Sequence, residues 1–325
     1  MKNILKIRSE PPQIQALNRL LHGISSTNHQ VINSIRQDID RIQAGYKGEL
    51  RVDHFIQETH FQLPIVYFPN AELQVSKYRF IQIDSLIITP SYICIFEVKN
   101  MRGILRFHEN PFQLIQIVDG KKRIYDCPQS QIIRMASSLK YWLQKNNIDL
   151  PIYYKIAMPN SNTFIKKSPK KVQLLFNKEI PIFLEQLNVL PHQLNSEEFH
   201  KLCVKLQSQI KPYNPFPLCN KYNLQPENLL PGIICFCGMQ IEYSIRKNQK
   251  CIRCGASKKD ILQQALLDWF YLFKPTMTNR ECRHYLKIED KYIVSRLLKN
   301  MNLKSIGNTK SRMYQYDYIQ PLFKN

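Results

Sequence analysis

The chain has 325 residues, 44% of them hydrophobic, a formal net charge of +21 and a pI of about 9.6. That length allows one to three domains with real cores, and the even spread of apolar residues excludes a disordered chain. No run of about 18 apolar residues occurs, which excludes a membrane-spanning helix, and Met1–Lys6 lacks the apolar stretch of a secretory signal. The basic charge is carried throughout, with 17 Lys+Arg against 7 Asp+Glu in residues 231–325 and 29 against 18 in the remainder. Such a field concentrates polyanions. Nucleic acid is therefore the expected partner, and no basic amphipathic stretch with an aromatic face points to a membrane. The nine cysteines are an odd number, and four of them fall between 235 and 254. That pattern predicts a metal site and a reducing, cytoplasmic setting over a disulfide framework.

Residues 1–40 read as a helical N-terminal extension. Pro11-Pro12 opens a helix over Gln13–His22, and His29–Gln43 carries Val31, Ile32, Ile35, Ile39 and Ile42 at helical spacing. Gly45 is expected to break the helix, and Lys47–Gln57 reads as a new one. From Ile65 to Phe107 the pattern changes to strands, with Arg79–Thr89, Tyr92–Asn100 and Gly103–Phe107 as separate members. Asp119-Gly120 marks a hairpin between Leu114–Val118 and Arg123–Tyr125. Asp126–Gln144 returns to helix, with Pro128 in the first turn and Ile132, Met135, Leu139 and Leu143 on one face. Ile152–Met158 and Val172–Phe176 read as strands, and residues 177–210 as mostly helical. Residues 211–230 hold little periodicity among their prolines and read as a linker.

The strongest constellation lies in residues 79–100, RFIQIDSLIITPSYICIFEVKN. If the two strands turn at Thr89-Pro90-Ser91, opposed residues have numbers adding to 181, and Asp84 faces Glu97. Directly opposed residues have Cβ atoms about 5 Å apart. Lys99, two residues past Glu97, shares its face. Two adjacent carboxylates repel, so the pair implies a cation between them. A hard divalent ion such as Mg2+, or Mn2+ in its place, suits oxygen ligands and is commonly completed by substrate phosphate. Lys99 could then orient or deprotonate a water, or stabilise charge on the phosphate. The bland alternative is a solvated strand end.

These residues resemble the core of the PD-(D/E)xK nucleases. The fuller set, GYKGE (45–49), QIDSLIITP (82–90), FEVKNMRGIL (96–105) and DCPQSQ (126–131), resembles the nuclease-related domain family over roughly residues 40–160. The resemblance implies a restriction-endonuclease-like α/β fold, a mixed sheet flanked by helices, spanning residues 41–210. It also implies that Asp84, Glu97 and Glu49 bind the metal, that Lys99 is the catalytic lysine, and that Gln131 helps to position the site. Family members often carry Asn or Asp before the helix-opening proline, where this chain has Cys127.

Residues 231–258 carry Cys235-x-Cys237-Gly238 and Cys251-x-x-Cys254-Gly255. Two such pairs at hairpin tips suit a tetrahedral, structural Zn2+ held by four thiolates, and the segment resembles a zinc ribbon whose first pair is one residue short. The remaining cysteines, 94, 127, 203, 219 and 282, are expected to pack as small apolar residues.

Residues 259–325 read as three helices and a hairpin. Ile261–Phe273 sets Leu262, Ala265, Leu266, Trp269 and Phe273 on one face. Thr278 to Glu281 form a capping box. Asp290 caps a third helix with Ile293, Leu297 and Met301 inward, and Leu303–Ile306 pairs with Arg312–Tyr316. The order resembles a winged helix-turn-helix, which implies nucleic-acid contacts from Lys291, Ser295, Arg296 and Lys299 on the helix and Lys310 and Arg312 on the wing. The whole reads as a metal-dependent nuclease acting on DNA ahead of RNA, delivered by a basic tail. The competing reading is a non-catalytic DNA-binding or regulatory protein with an inactive nuclease-like domain.

Overall fold

The computed structural model describes the chain except for residues 1–3, 25–27, 212, 231, 244–249, 309–310 and 319–325. Its chain divides into two compact units, one of residues 1–10 and 43–213 and one of residues 11–42 and 214–325. After the short strand β1 (Ile4–Leu5) come helices α1 (Pro12–Gly23) and α2 (His29–Glu58). Gly45 does not interrupt α2, contrary to expectation. A helix-internal glycine costs only about 1 kcal/mol, and residues 39, 52 and 56 along α2 are buried apolar positions.

The first unit is built on β1, β2 (Val66–Ser76), β3 (Arg79–Ile88), β4 (Ile93–Val98), β5 (Gly103–Glu109), β6 (Phe112–Val118), β7 (Lys121–Asp126), β8 (Ile152–Met158), β9 (Thr163–Lys167), β10 (Leu174–Phe176) and β11 (Ile210–Lys211). Three helices join the second half of α2: α3 (Pro128–Lys145), α4 (Glu179–Gln186) and α5 (Ser196–Gln209). A seven-stranded mixed sheet runs β1-β2-β3-β4-β8-β10, with β11 also on β2. Strands β2 to β4 are antiparallel, while β4, β8 and β10 are parallel. One face packs Ile83, Leu86, Ile93 and Ile95 against Ile132, Met135, Leu139 and Leu143 of α3 and Phe199 and Leu202 of α5. The other packs Tyr67, Ile87, Cys94 and Phe96 against Val52 and Ile56 of α2 and Ile180 and Leu184 of α4. Strand β4 is thus buried on both sides along its whole length, which is why its sequence is an unbroken apolar run until Glu97.

The β3–β4 register is the expected one. Ser85 pairs with Phe96, Leu86 with Ile95, Ile87 with Cys94 and Ile88 with Ile93. Thr89 sets it: its N–H and hydroxyl donate to the Tyr92 carbonyl at 2.9 Å each, and its hydroxyl accepts from Ser91 and Tyr92 N–H. A second sheet, β7-β6-β5-β9, includes a strand at 163–167 that periodicity does not single out, and it lends Leu105, Phe107 and Leu114 to the α3 face.

The second unit contains α1, the first half of α2, the hairpin β12 (Ile233–Ile234) and β13 (Gln240–Ile241), helix α6 (Lys258–Leu272), strand β14 (Thr276–Thr278), helices α7 (Asn279–Leu286) and α8 (Lys291–Lys299), and strands β15 (Leu303–Ile306) and β16 (Met313–Tyr316). Strand β16 pairs antiparallel with both β14 and β15. The stretch expected as a linker packs instead: Leu218, Cys219, Tyr222, Leu224 and Leu229 share a core with Leu17 and Leu20 of α1, Ile35 of α2 and Trp269 and Phe270 of α6. On α8 the buried residues are Val294 and Leu298, with Met301 buried just past its end, so the inward face is centred one residue on from Ile293 and Leu297, which are half-buried. The expected caps are in place: Thr278 and Glu281 form the box, and the Asp290 carboxylate accepts from Tyr292 and Ile293 N–H. No described helix is long and apolar enough to cross a membrane.

Gly48 shows why the GYKGE stretch needs its second glycine. A Cβ there would lie 2.4 Å from the Asn100 Cβ, on the loop that follows β4, and the Asn100 amide donates to the Ala44 carbonyl at 2.6 Å. Gly48→Ala should therefore destabilise the first unit by about 1–3 kcal/mol, the cost of overpacking, read as a lower midpoint in urea.

Candidate active site and cysteine cluster

The β3–β4 ladder ends at Ser85 and Phe96, one step before Asp84 and Glu97. Beyond it the Asp84 carboxylate, not its backbone, meets β4: Oδ2 accepts from Val98 N–H at 2.8 Å. Strand β4 continues its pairing on the other side, Glu97 with Ile156 and Val98 with Ala157. The strands open where the two acidic side chains sit, and the opening follows from their own hydrogen bonding.

Glu97 is 1% exposed. Its Oε1 pairs with Lys99 Nζ at 2.5 Å, and its Oε2 is buried with no hydrogen-bond partner in the protein. Lys99 Nζ also donates to Gln131 Oε1 at 3.3 Å. Gln131 reaches there from the first turn of α3, which Pro128 opens and Cys127 caps without a side-chain hydrogen bond. Cys127 is buried in the core, so the departure from the family's usual residue leaves the helix start intact.

Glu49 comes from α2, and its carboxylate is held by Arg8, Nη1 to Oε2 at 2.6 Å. Arg8 is 4% exposed. Its Nε and Nη2 also clasp Asp53 at 2.7 and 2.9 Å, and Nη2 donates to the Asp84 carbonyl at 2.7 Å and to Ser85 Oγ at 3.2 Å. Tyr67 OH donates to Asp53. Opposite Asp84 in β2, Asn70 takes a positive φ of +48°, a conformation asparagine tolerates. Its side chain hydrogen-bonds Glu49. Arg8, Asp53 and Asn70 escape the sequence reading. The one available signal is Glu49 and Asp53 at i and i+4, two acids on one helix face that repel unless a cation joins them.

The electrostatics follow from crowding. Burial pushes Glu97 up, to about 8, with Asp84 adding and Lys99 opposing. Burial likewise raises Asp84, against the Val98 N–H and Lys99, and raises Glu49 with help from Asp84, against Arg8. For Lys99, burial disfavours the ammonium, but Glu97, Asp84 and Glu49 together outweigh it and the pKa rises. Lys99 is therefore a cation here. Three carboxylates held above their ordinary range, one with an orphaned oxygen, form a donor set that suits a hard divalent cation.

Among the described residues, the only group of three or more potential ligands whose donor atoms all lie within 4.8 Å is Cys235, Cys237, Cys251 and Cys254. Asp84, Glu97 and Glu49 do not form such a group, and Glu97 and Glu49 are each paired with a cation. The cysteine sulfurs approach at 3.4 Å (Cys235 to Cys254) and 3.6 Å (Cys237 to Cys251). Each pair sits in a turn closed by backbone bonds, Gly238 N–H to Cys235 O at 3.0 Å and Gly255 N–H to Cys251 O at 2.8 Å. Gly238 and Gly255 have φ of +81° and +74°, a left-handed turn that glycine makes without penalty. Backbone N–H groups of Cys254 and Arg253 lower the Cys251 thiol to about 6. Four soft ligands in this arrangement can hold zinc. The cluster is tied to the unit's core by Arg19 of α1, which donates to the Cys235 and Ile234 carbonyls at 2.5 and 2.6 Å and pairs with buried Asp268 at 2.7 Å. The other five cysteines are buried, as expected.

In the C-terminal module Lys291, Arg296, Lys299 and Arg312 are exposed. Ser295 is half-buried, its Oγ accepting from Asn279 Nδ2 at 3.0 Å, so it joins α8 to α7. Lys310 lies outside the described residues.

The family model described as nuclease-related domain matches residues 44–159. That stretch contains Glu49, Asp84, Glu97, Lys99 and Gln131, and excludes Arg8 and the cysteine cluster. Nuclease-like chemistry is what this family points to. No curated protein and no solved structure matches the chain.

Because thiolate ligation and folding are linked, Cys251→Ser should lower the zinc content, measured by elemental analysis, from about one per chain to near zero, and lower the melting temperature.

Proposed function

We propose that the protein is a metal-dependent phosphodiesterase that cuts DNA, with its first unit a restriction-endonuclease-like nuclease domain. The observation that carries this reading is the meeting of Asp84, Glu97, Lys99 and Gln131 where β3 and β4 part. Asp84, Glu97 and Glu49 would hold Mg2+ or Mn2+. A divalent ion at such a site supplies charge for the phosphate and lowers the pKa of a bound water. The chain's own residues do the rest. Glu97 offers its unpartnered Oε2 to the ion. Lys99, kept cationic by its neighbours, stabilises charge that develops on the phosphate. Gln131 orients the Lys99 ammonium through its amide oxygen.

The second unit supplies the grip on substrate. What supports this is the order helix, strand, helix, helix, strand, strand, with β14 completing a sheet with the β15–β16 hairpin, as in a winged helix-turn-helix. Lys291, Arg296 and Lys299 line the solvent side of α8, and Arg312 stands beside the wing. The cysteine cluster acts as a zinc ribbon with a structural role, since four thiolates leave the ion no open position. A four-thiolate zinc site with five further buried cysteines suits a reducing, cytoplasmic setting. One observation favours a second reading, a DNA-binding protein that does not cut: Glu49 and Glu97 are each already paired with a cation.

Incubation with plasmid and linear DNA, with and without Mg2+ or Mn2+, separates the two. Metal-dependent cleavage is expected, falling about 10²–10³-fold in Lys99→Ala and to background in Glu97→Ala. If the wild type cuts nothing, or the variants cut as well as the wild type, the enzyme reading fails. For the grip, removing residues 231–325 is a poor test because that stretch shares its core with α1 and α2. Replacing Lys291, Arg296 and Lys299 together by Ala should instead weaken DNA binding and reduce the salt slope by about 2–3, roughly one per lost phosphate contact. An unchanged slope counts against contact through α8.

A further inference from the structure

Arg8 lies outside the family-matched residues, yet its side chain reaches both Glu49 and the Asp84 backbone of the candidate site. Nη1 takes Glu49 Oε2, Nε and Nη2 take both oxygens of Asp53, and Nη2 also reaches the Asp84 carbonyl and Ser85 Oγ. It is brought there by β1, which pairs parallel with the edge of the main sheet, Ile4 with Val66 and Leu5 with Tyr67. Lys6 N–H extends this pairing to the Tyr67 carbonyl at 3.4 Å.

A guanidinium is planar, with donors at fixed angles. Once two edges are held by the Asp53 carboxylate and the β3 backbone, the direction of Nη1 is determined. The Glu49 carboxylate it grips is then fixed relative to the Asp84 backbone, although one belongs to a helix and the other to a strand. Glu49 Oε2 takes this ion pair, and the Asn70 side chain also hydrogen-bonds the carboxylate. The Arg8–Asp53 pair is bidentate, so the arginine charge is largely offset within the cluster and is not the property that matters most to a nearby cation.

From this geometry we infer that Arg8 is a positioning residue of the metal site, holding Glu49 at a fixed angle to Asp84 so that its second oxygen can join Asp84 and Glu97 on a divalent ion. This deepens the nuclease reading and rests on it for the identity of the site. The N-terminal segment is then a working part of the first unit, and a fragment limited to residues 44–159 lacks one of its supports.

The test measures Mn2+ binding directly on the full-length, zinc-loaded protein by electron paramagnetic resonance, counting the site that Glu97→Ala abolishes. Three variants separate positioning from bulk stability. Arg8→Lys keeps a cation for Asp53 but has no fork to reach Glu49 and the Asp84 carbonyl. The double variant Arg8→Met with Asp53→Asn removes Arg8 without leaving the Asp53 charge buried alone. Asp53→Asn by itself weakens the pair but leaves Arg8 on Glu49. The first two should bind Mn2+ roughly 10–100-fold more weakly, the usual effect of losing a partner that orients a ligand. Asp53→Asn should stay close to wild type in Mn2+ affinity even where its melting temperature falls. If Arg8→Lys and the double variant, folded by their melting curves, bind as tightly as wild type, the inference is overturned. It is also overturned if all three variants weaken binding alike in step with lost stability, or if the wild type has no Mn2+ site that depends on Glu97. If the wild type binds Mn2+ through Glu97 and cuts no DNA, the proposed nuclease activity fails and the Arg8 result still stands.

Discussion

Like charge is crowded at the open end of the β3–β4 pair, and much of the first unit can be understood as what keeps that crowding in place. Burial raises Asp84, Glu97 and Glu49 toward the protonated form, and Asp84 adds to the shift of the two glutamates. Two unit charges about 5 Å apart repel by about 3 kcal/mol at the effective dielectric of a protein site. A strand pair does not hold two facing acids against that unless something else fixes it. Here the ladder from Ser85 to Ile88 fixes the register, and the turn built on Thr89 fixes the ladder. Two cations complete the balance, Lys99 on Glu97 and Arg8 on Glu49 and Asp53. Stripping one partner from a buried ion pair costs about 3–5 kcal/mol, since the other charge is left uncompensated. The same contacts that orient the site therefore also hold α2, β2 and β3 together.

How much of this can be read from the sequence depends on the range of each interaction. The β3–β4 register is local: a short turn with a proline and a capping threonine leaves few ways to align the strands, and the expected register holds from Ile88 to Ser85, one step short of Asp84 and Glu97. Burial of β4 on both faces is written in its unbroken apolar run. Gln131 is legible only through the family resemblance, because its meeting with Lys99 spans 32 residues. Arg8 is not legible at all. It stands in a short segment with no periodicity, and its partners lie 41 to 77 positions away. Gly45 and residues 211–230 fail for a different reason. Glycine and proline mark local propensity, which tertiary packing overrides: α2 continues because both of its halves bury apolar faces, and the proline-bearing stretch is pinned by Leu218, Cys219, Tyr222, Leu224 and Leu229.

The second unit repeats the principle with other chemistry. Its N-terminal helices and C-terminal module are far apart in the chain, so no window of sequence shows that they share a core. The side chain joining them is again a buried arginine. Arg19 of α1 pairs with Asp268 of α6 and donates to the carbonyls of Ile234 and Cys235. A metal held by the four cysteines then steadies more than a small loop, because the backbone of one of its ligands is hydrogen-bonded to a helix from the other end of the sequence. Each unit uses one arginine to connect a chemically special cluster to a helix or strand that its motifs do not contain.

The carboxylates around Lys99 favour its charged form. A lysine that acts as a base must be neutral at working pH, which calls for burial among apolar groups or other cations. Lys99 has the opposite surroundings, three carboxylates that keep it charged. In the proposed reaction the ammonium would stabilise charge on the phosphate, while an ion on the same carboxylates would oppose their hold on its proton. The Lys99–Glu97 pair also means that any ion taken by Glu97 competes with Lys99 for the same carboxylate. Were Glu97 to hold an ion, Lys99 would keep its hydrogen bond to Gln131 of α3. The pairing that makes the resting site look closed is in this way compatible with an open one: the lysine is held by two side chains, of which the metal would claim only one.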